Sequence, residues 1–205
     1  RVETNEQLAS EFPEWNLDLI YTKTGIARRY IAADDECASD LGVQAAQKLM
    51  EEQNIDPHSI DFLLLCTQTP DYPLPTTACL MQERLGLSKH AGAMDFNLGC
   101  SGFVYGLSIV SSFLAMNSLN HAILVTCDPY SDIINHSDPN TSLLFGDAAA
   151  ASLVSSDATD RCFKIGRLYG YSDGKSGAAI QKLPSGKLEM NGRAVFNFAL
   201  NQVPL

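Results

Sequence analysis

Asp95-Phe96-Asn97-Leu98-Gly99-Cys100-Ser101-Gly102-Phe103-Val104-Tyr105-Gly106-Leu107 reads as the end of a short strand, a glycine-flanked turn and the start of an apolar helix, with Cys100 at the helix entrance. Backbone N–H groups in the first turn of a helix have no partner one turn back and carry partial positive charge. That charge favours an anionic sulfur and can later stabilise an oxyanion. Gly99 and Gly102 are expected to let a substrate and neighbouring backbone approach without a Cβ in the way. Taken alone, the residues leave two readings open: Cys100 as a nucleophile, or as a small apolar side chain packed in the core. A serine-hydrolase elbow needs G-x-S-x-G, and here the second glycine comes one position early. The papain-type surround C-G-[SA]-C-[WY] is absent.

Moving outward, helical and extended patterns alternate, which predicts an α/β fold. Residues 39–53 read as a helix with Ser39 as N-cap and Leu41, Ala45, Leu49 and Met50 on one face. Residues 61–66 and 122–127 are continuous apolar runs, as strands covered on both faces should be, and 93–96 is a short strand. Thr76 to Leu85 reads as a helix closed by Gly86, and Ser101 to Met116 as an apolar helix. Beyond a polar loop at 128–142, residues 147–154 and 162–171 supply two more strand candidates, making five. Turn signals at Ser172-Asp173-Gly174 and Pro184-Ser185-Gly186 mark a long connection, and a helical pattern starts at Asn191.

With 205 residues and 45% hydrophobic content, the chain can bury a sizeable core. No run of about 18 apolar residues occurs and the start lacks a signal-peptide layout, so a cytoplasmic protein is expected. Fourteen basic against 24 acidic residues give a net charge of −10, which disfavours nucleic acid or an anionic membrane as partner. The six cysteines are scattered without a C-x-x-C pair, so neither a disulfide framework nor a metal site is expected. His58, His90, His121 and His136 lie in loop-like surroundings and read as polar surface residues.

Four segments in order resemble the β-ketoacyl-acyl carrier protein synthase III family: residues 23–29 (Lys-Thr-Gly-Ile-Ala-Arg-Arg), Pro75 to Gln82 with Ala78-Cys79, residues 97–103, and Phe145-Gly146-Asp147. The resemblance implies a thiolase-like fold with a mixed five-stranded sheet between helix layers, the first half of a duplicated fold. Residues 1–164 would form that half, and 165–205 the connection and the start of the second. It implies that Cys100 accepts an acyl group, which then condenses with malonyl-acyl carrier protein after loss of carbon dioxide. A His and an Asn from the second half would complete the site, and none of the four histidines lies in a matching segment. On this reading the 205 residues alone would not catalyse condensation. No cofactor is implied: coenzyme A and acyl carrier protein thioesters serve as substrates, and the enzyme is a homodimer.

Departures from the pattern bear on the substrate. Leu19 and Pro139 stand where relatives that use coenzyme A place a Trp and an Arg around the adenine, and Trp15 reads equally as a substitute stacking residue or as a packing residue. Lys23 remains a candidate phosphate contact, with Thr24 beside it in the same substrate-binding segment. Leu74 matches a position that closes the acyl pocket across the dimer interface and is commonly Phe, so a primer longer or more branched than acetyl is expected. Ala148 to Ala151 replace glycines, and Phe145-Gly146-Asp147 reads as a structural turn. The acidic chain does not obviously offer a basic landing patch for a carrier protein.

Overall fold

Five consecutive side chains from Phe62 to Cys66 are all buried, which requires cover on both sheet faces. The computed structural model describes residues 1–117, 119–157 and 162–203. Its elements are β1 (Val2–Thr4), α1 (Asn5–Glu11), α2 (Leu17–Thr24), β2 (Arg28–Tyr30), α3 (Ala38–Gln53), β3 (Phe62–Cys66), α4 (Thr77–Arg84), β4 (Gly92–Phe96) and α5 (Gly102–Asn117). There follow β5 (His121–Pro129), α6 (Pro139–Ser142), β6 (Asp147–Ser155), β7 (Ile180–Lys182), β8 (Leu188–Met190) and α7 (Gly192–Gln202).

Contacts group the chain into two units. One holds 35–128 and 148–169, and is built on a sheet of order β4-β3-β5-β6 in which β3 runs parallel to both β4 and β5. Period-two alternation splits the strands between two cores. Leu63, Leu65, Ile123 and Val125 face Val43, Ala46 and Met50 of α3 and Ala78 and Met81 of α4. Phe62, Leu64, Ala122 and Leu124 face Val110 and Leu114 of α5. The sheet thus lies between helix layers, as expected.

The helix read from residue 39 starts one residue sooner, and its N-cap is Cys37 rather than Ser39. The Asp40 carboxylate accepts from the Cys37 N–H at 2.9 Å and from its thiol at 3.0 Å, so the cap is made by a carboxylate reaching back from the third helical position. Asn54, at φ 53°, ends the helix in the left-handed region that Asn tolerates. The expected fifth strand at 162–171 is not formed. Phe163 is 100% exposed and Tyr169 is exposed too, so no burial offsets the ordering of an extended segment.

The other unit holds 1–34, 129–147 and 170–205. It contains antiparallel β1–β2, α1, α2, and an antiparallel hairpin β7–β8 turned at Gly186 (φ +83°) within what the sequence reading took as a plain connection. The signal was present: alternating residues on either side of Leu183-Pro184-Ser185-Gly186-Lys187. Among the described residues no helix is long and apolar enough to cross a membrane.

Candidate active site

Chain order and strand order together fix where a site can open. From β3 the chain passes through α4 to its neighbour β4, and from β4 it returns through α5, on the opposite face, to β5. Right-handed crossovers require this change of face when the direction of travel across the sheet reverses. Loops leaving the carboxyl ends of adjacent β3 and β4 therefore head for helices on opposite faces of the sheet, and that carboxyl edge is where open α/β sheets bind ligands in a crevice. Residues 67–76 come from one side, and 97–101 from the other. Cys100 is an exposed turn residue two positions ahead of the first residue of α5. Cys100 is thus exposed just ahead of a helix start, not packed in hydrocarbon.

The turn that carries Cys100 is braced from β3. The Thr67 N–H donates to Phe96 O at 3.2 Å, and the buried Cys66 thiol donates to Leu98 O at 3.1 Å. Burial pushes the Cys66 thiol up, in keeping with its role as a neutral donor. The two thiols of the crevice thus differ in kind: one is a buried strut, the other an exposed group. A Cβ on Gly102 would overlap the Cys66 sulfur, and one on Gly99 would stand 2.8 Å from Gln68 Oε1. This corrects the sequence reading of both glycines, whose missing side chains make room for Cys66 and Gln68 rather than for substrate. Gly106 lets α5 sit on Leu124, whose Cδ1 would be 2.7 Å from an added Cβ.

Two carboxylates hold the crevice loops. Asp95, in β4, accepts from the N–H groups of Thr77 and Ala78 at 2.7 and 2.6 Å and so caps α4, whose own N-cap Thr76 makes no side-chain bond. Asp128, at the carboxyl end of β5, accepts from the Gln68 N–H at 2.6 Å and from the Thr67 hydroxyl at 3.3 Å. Burial raises both carboxyls above the ordinary range, against the lowering pull of those N–H groups. None of these supports was visible in the sequence, where the partners lie up to 61 residues apart.

Leu74 lies in the β3–α4 loop of the same unit and is 85% exposed. Lys23 and Thr24 close α2 in the other unit: Lys23 is exposed in the last turn, and the Thr24 hydroxyl accepts from the Ile26 N–H at 3.2 Å. Trp15 stacks on Phe12 with ring centroids 4.0 Å apart, packed against the Leu8, Leu17 and Leu143 cluster, which makes it a packing residue. Phe145-Gly146-Asp147 is structural as expected. Asp147 accepts from the Ala32 N–H and from the N–H and hydroxyl of Ser131, and a Cβ on Gly146 would meet Tyr30 O at 2.9 Å.

His58, His90 and His121 precede β3, β4 and β5 or open them, at the amino ends of parallel strands. Five residues at about 3.3 Å each separate that edge from the Cys100 edge, so none of the three reaches the thiol. His121 departs from the expected surface role, because its Nδ1 is buried and has no hydrogen-bond partner among the described residues. Among the described residues no group of three His, Cys, Asp or Glu side chains could hold a metal ion.

An exposed thiol in the turn between a parallel strand and an apolar helix, in a three-layer α/β unit, is the arrangement expected of the thiolase-like class. Known proteins agree. The 3-oxoacyl-(acyl-carrier-protein) synthase III family profile matches residues 94–174. The chain is 36% identical to the β-ketoacyl-(acyl-carrier-protein) synthase III of Geobacillus kaustophilus over 97% of its own length and 61% of the relative's. A crystal structure of a 3-oxoacyl-(acyl-carrier-protein) synthase III aligns with TM-score 0.91 and 38% identity, over 100% of this chain and 67% of that one. The enzyme from Pseudomonas aeruginosa aligns with TM-score 0.84 and 30% identity, over 98% and 63%. The chain belongs to the 3-oxoacyl-(acyl-carrier-protein) synthase III family, and it spans about three fifths of the length of the curated relatives it matches.

Proposed function

We propose that this chain carries the nucleophile of an acyltransferase that starts fatty acid synthesis by decarboxylative Claisen condensation. The observation that supports the reading most is the position of Cys100: exposed, in the turn between β4 and α5, at the entrance to that helix. The Cys100 thiolate attacks the carbonyl of an acyl-coenzyme A thioester, and the positive end of α5 favours the negative charge that develops there. The carbonyl–sulfur bond of the donor breaks and coenzyme A leaves as a thiol. A malonyl thioester on acyl carrier protein then loses carbon dioxide, and the electron pair of the broken C–C bond becomes an enolate carbanion. Attack on the acyl-enzyme carbonyl expels the Cys100 thiolate, the form that began the cycle, so the one proton consumed is that taken up by the departing coenzyme A sulfur. Acyl thioester, malonyl thioester and one proton thus give 3-oxoacyl carrier protein, free coenzyme A and carbon dioxide, with no resident cofactor.

In this reading Lys23 and Thr24 bind the donor, Leu74 borders the acyl pocket of a partner copy in a homodimer, and the protein works in the cytoplasm. An exposed Leu in place of a larger ring supports a primer longer or more branched than acetyl. The test is turnover by the intact protein with malonyl-acyl carrier protein and a series of acyl donors. C4 to C8 or branched donors are expected to exceed acetyl-coenzyme A, and faster turnover of acetyl would contradict the pocket assignment.

A second reading within the same chemistry is priming of a specialised metabolite. Leu19 and Pro139 stand in for the adenine-clamping Trp and Arg of the resemblance, and the priming β-ketosynthase of the R1128 polyketide pathway aligns at 28% identity with TM-score 0.87. A non-catalytic scaffold is disfavoured, since it has no use for a thiol at this position.

A further inference from the structure

Gln68 is the residue of the crevice that the reaction above leaves without a task. Its backbone N–H is tied to Asp128 at 2.6 Å, and the Thr67 and Thr69 hydroxyls converge on the same carboxylate oxygen. Its side chain, half-buried, extends toward the other wall: Nε2 stands 3.5 Å from Asn97 Oδ1, and Oε1 occupies the space beside Gly99 that a side chain there would need. The carboxamide therefore lies directly against the residue preceding Cys100.

Resting on the acyl-enzyme reading, we propose that Gln68 is a positioning residue for Cys100: its carboxamide, seated on Gly99 and anchored through Asp128, holds the 97–100 turn so that the thiol stays at the entrance to α5. A polar amide suits this place because it bonds to the turn without adding charge beside a sulfur that must ionise. An apolar side chain of equal size would fill the space but lose the bond to Asn97. A carboxylate of equal shape would set a negative charge against the thiolate.

The test uses Gln68→Glu and Gln68→Leu in the intact protein. The rate of Cys100 alkylation by iodoacetamide is followed across pH, with kcat and KM for acyl transfer and the melting temperature measured alongside. Gln68→Glu is expected to move the midpoint of the alkylation profile to higher pH by about one unit, since a like charge beside the thiol disfavours its anion. The other titratable groups around the turn, Cys66 beneath it, Asp95 at the end of β4 and Asp128 behind Gln68, are unchanged by the substitution, so the shift reports the new carboxylate. Gln68→Leu is expected to lower kcat about tenfold with KM within about twofold, the pattern of misplaced chemistry rather than lost binding. A Gln68→Glu profile that superposes on the wild type, or Gln68→Leu with unchanged kcat, overturns the proposal. Should wild-type Cys100 alkylate yet take no acyl group from any donor, the acyl-enzyme reading fails by itself, and the alkylation profiles still decide the placement of Gln68.

Discussion

On one face of the central strands, Leu63, Leu65, Ile123, Val125 and Cys127 lie under two helices, and α3 turns Lys48, Glu51 and Glu52 outward to solvent. On the other face, Phe62, Leu64, Ala122 and Leu124 lie under α5, and Phe103, Val104 and Met116 of that helix are exposed. The first face is finished in the way a surface helix finishes a globular protein, with an apolar stripe inward and charge outward. The second leaves apolar side chains of its helix in solvent instead of a charged outer stripe. Cys100 stands at the entrance of the second helix. Both faces thus bury a core, and the one with the exposed thiol at its helix entrance is the α5 face.

Substitutions that separate the two faces test this division. Leu65→Ala, beneath α3 and α4, is expected to lower unfolding free energy by about 2–5 kcal/mol in urea titration, with the alkylation rate of Cys100 in the folded protein unchanged. Leu124→Ala, which underlies Gly106 of α5, is expected to lose a similar amount and to change that rate as well. Equal effects of both substitutions on the thiol would break the comparison.

Asp95→Asn trades a carboxylate for an amide against two α4 N–H groups and is expected to lose about 1–3 kcal/mol, because one short bond becomes a poorer one in a half-buried place. The Asp40 carboxyl sits below its ordinary value of 3.8, first through the Cys37 N–H, then through the Cys37 thiol and Arg84. A carboxyl lowered by folding adds stability that is complete above its unfolded pKa and is lost as pH falls through the folded one. The stability difference between wild type and Asp40→Asn should therefore be full at neutral pH and close to zero by about pH 2, in denaturant titrations at the two pH values. Smallest of all, Lys48→Ala breaks an exposed Lys48–Glu52 pair at 3.9 Å and should change stability by no more than about 0.5 kcal/mol.

Legibility in the sequence follows burial. Phe62–Cys66 and His121–Pro129 were readable because two-sided cover demands unbroken apolar runs, and α4, α5 and α7 because their start and stop residues bracket them. Residues 162–171 misled because Phe163, Ile165 and Tyr169 look like buried strand residues, yet all are exposed, and the sheet has four strands. The α3 cap was missed because a cysteine is not an ordinary capping residue; Asp40 at the third helical position was the usable signal. At the site, local pattern located Cys100, since a strand–turn–helix is a matter of neighbours in sequence. Cys66, Gln68, Asp95 and Asp128 were beyond reach, because their roles arise only when parallel strands bring distant segments together.

The account rests on Cys100 taking up an acyl chain. Intact mass and peptide mapping of the whole protein after incubation with C2 to C8 acyl-coenzyme A donors tests this most directly. The expected result is one acyl group per chain, on the peptide that contains Cys100, and none after Cys100→Ala. A protein that stays unmodified with every donor, or that carries the acyl group on Cys79 or Cys37 with Cys100 bare, would contradict it.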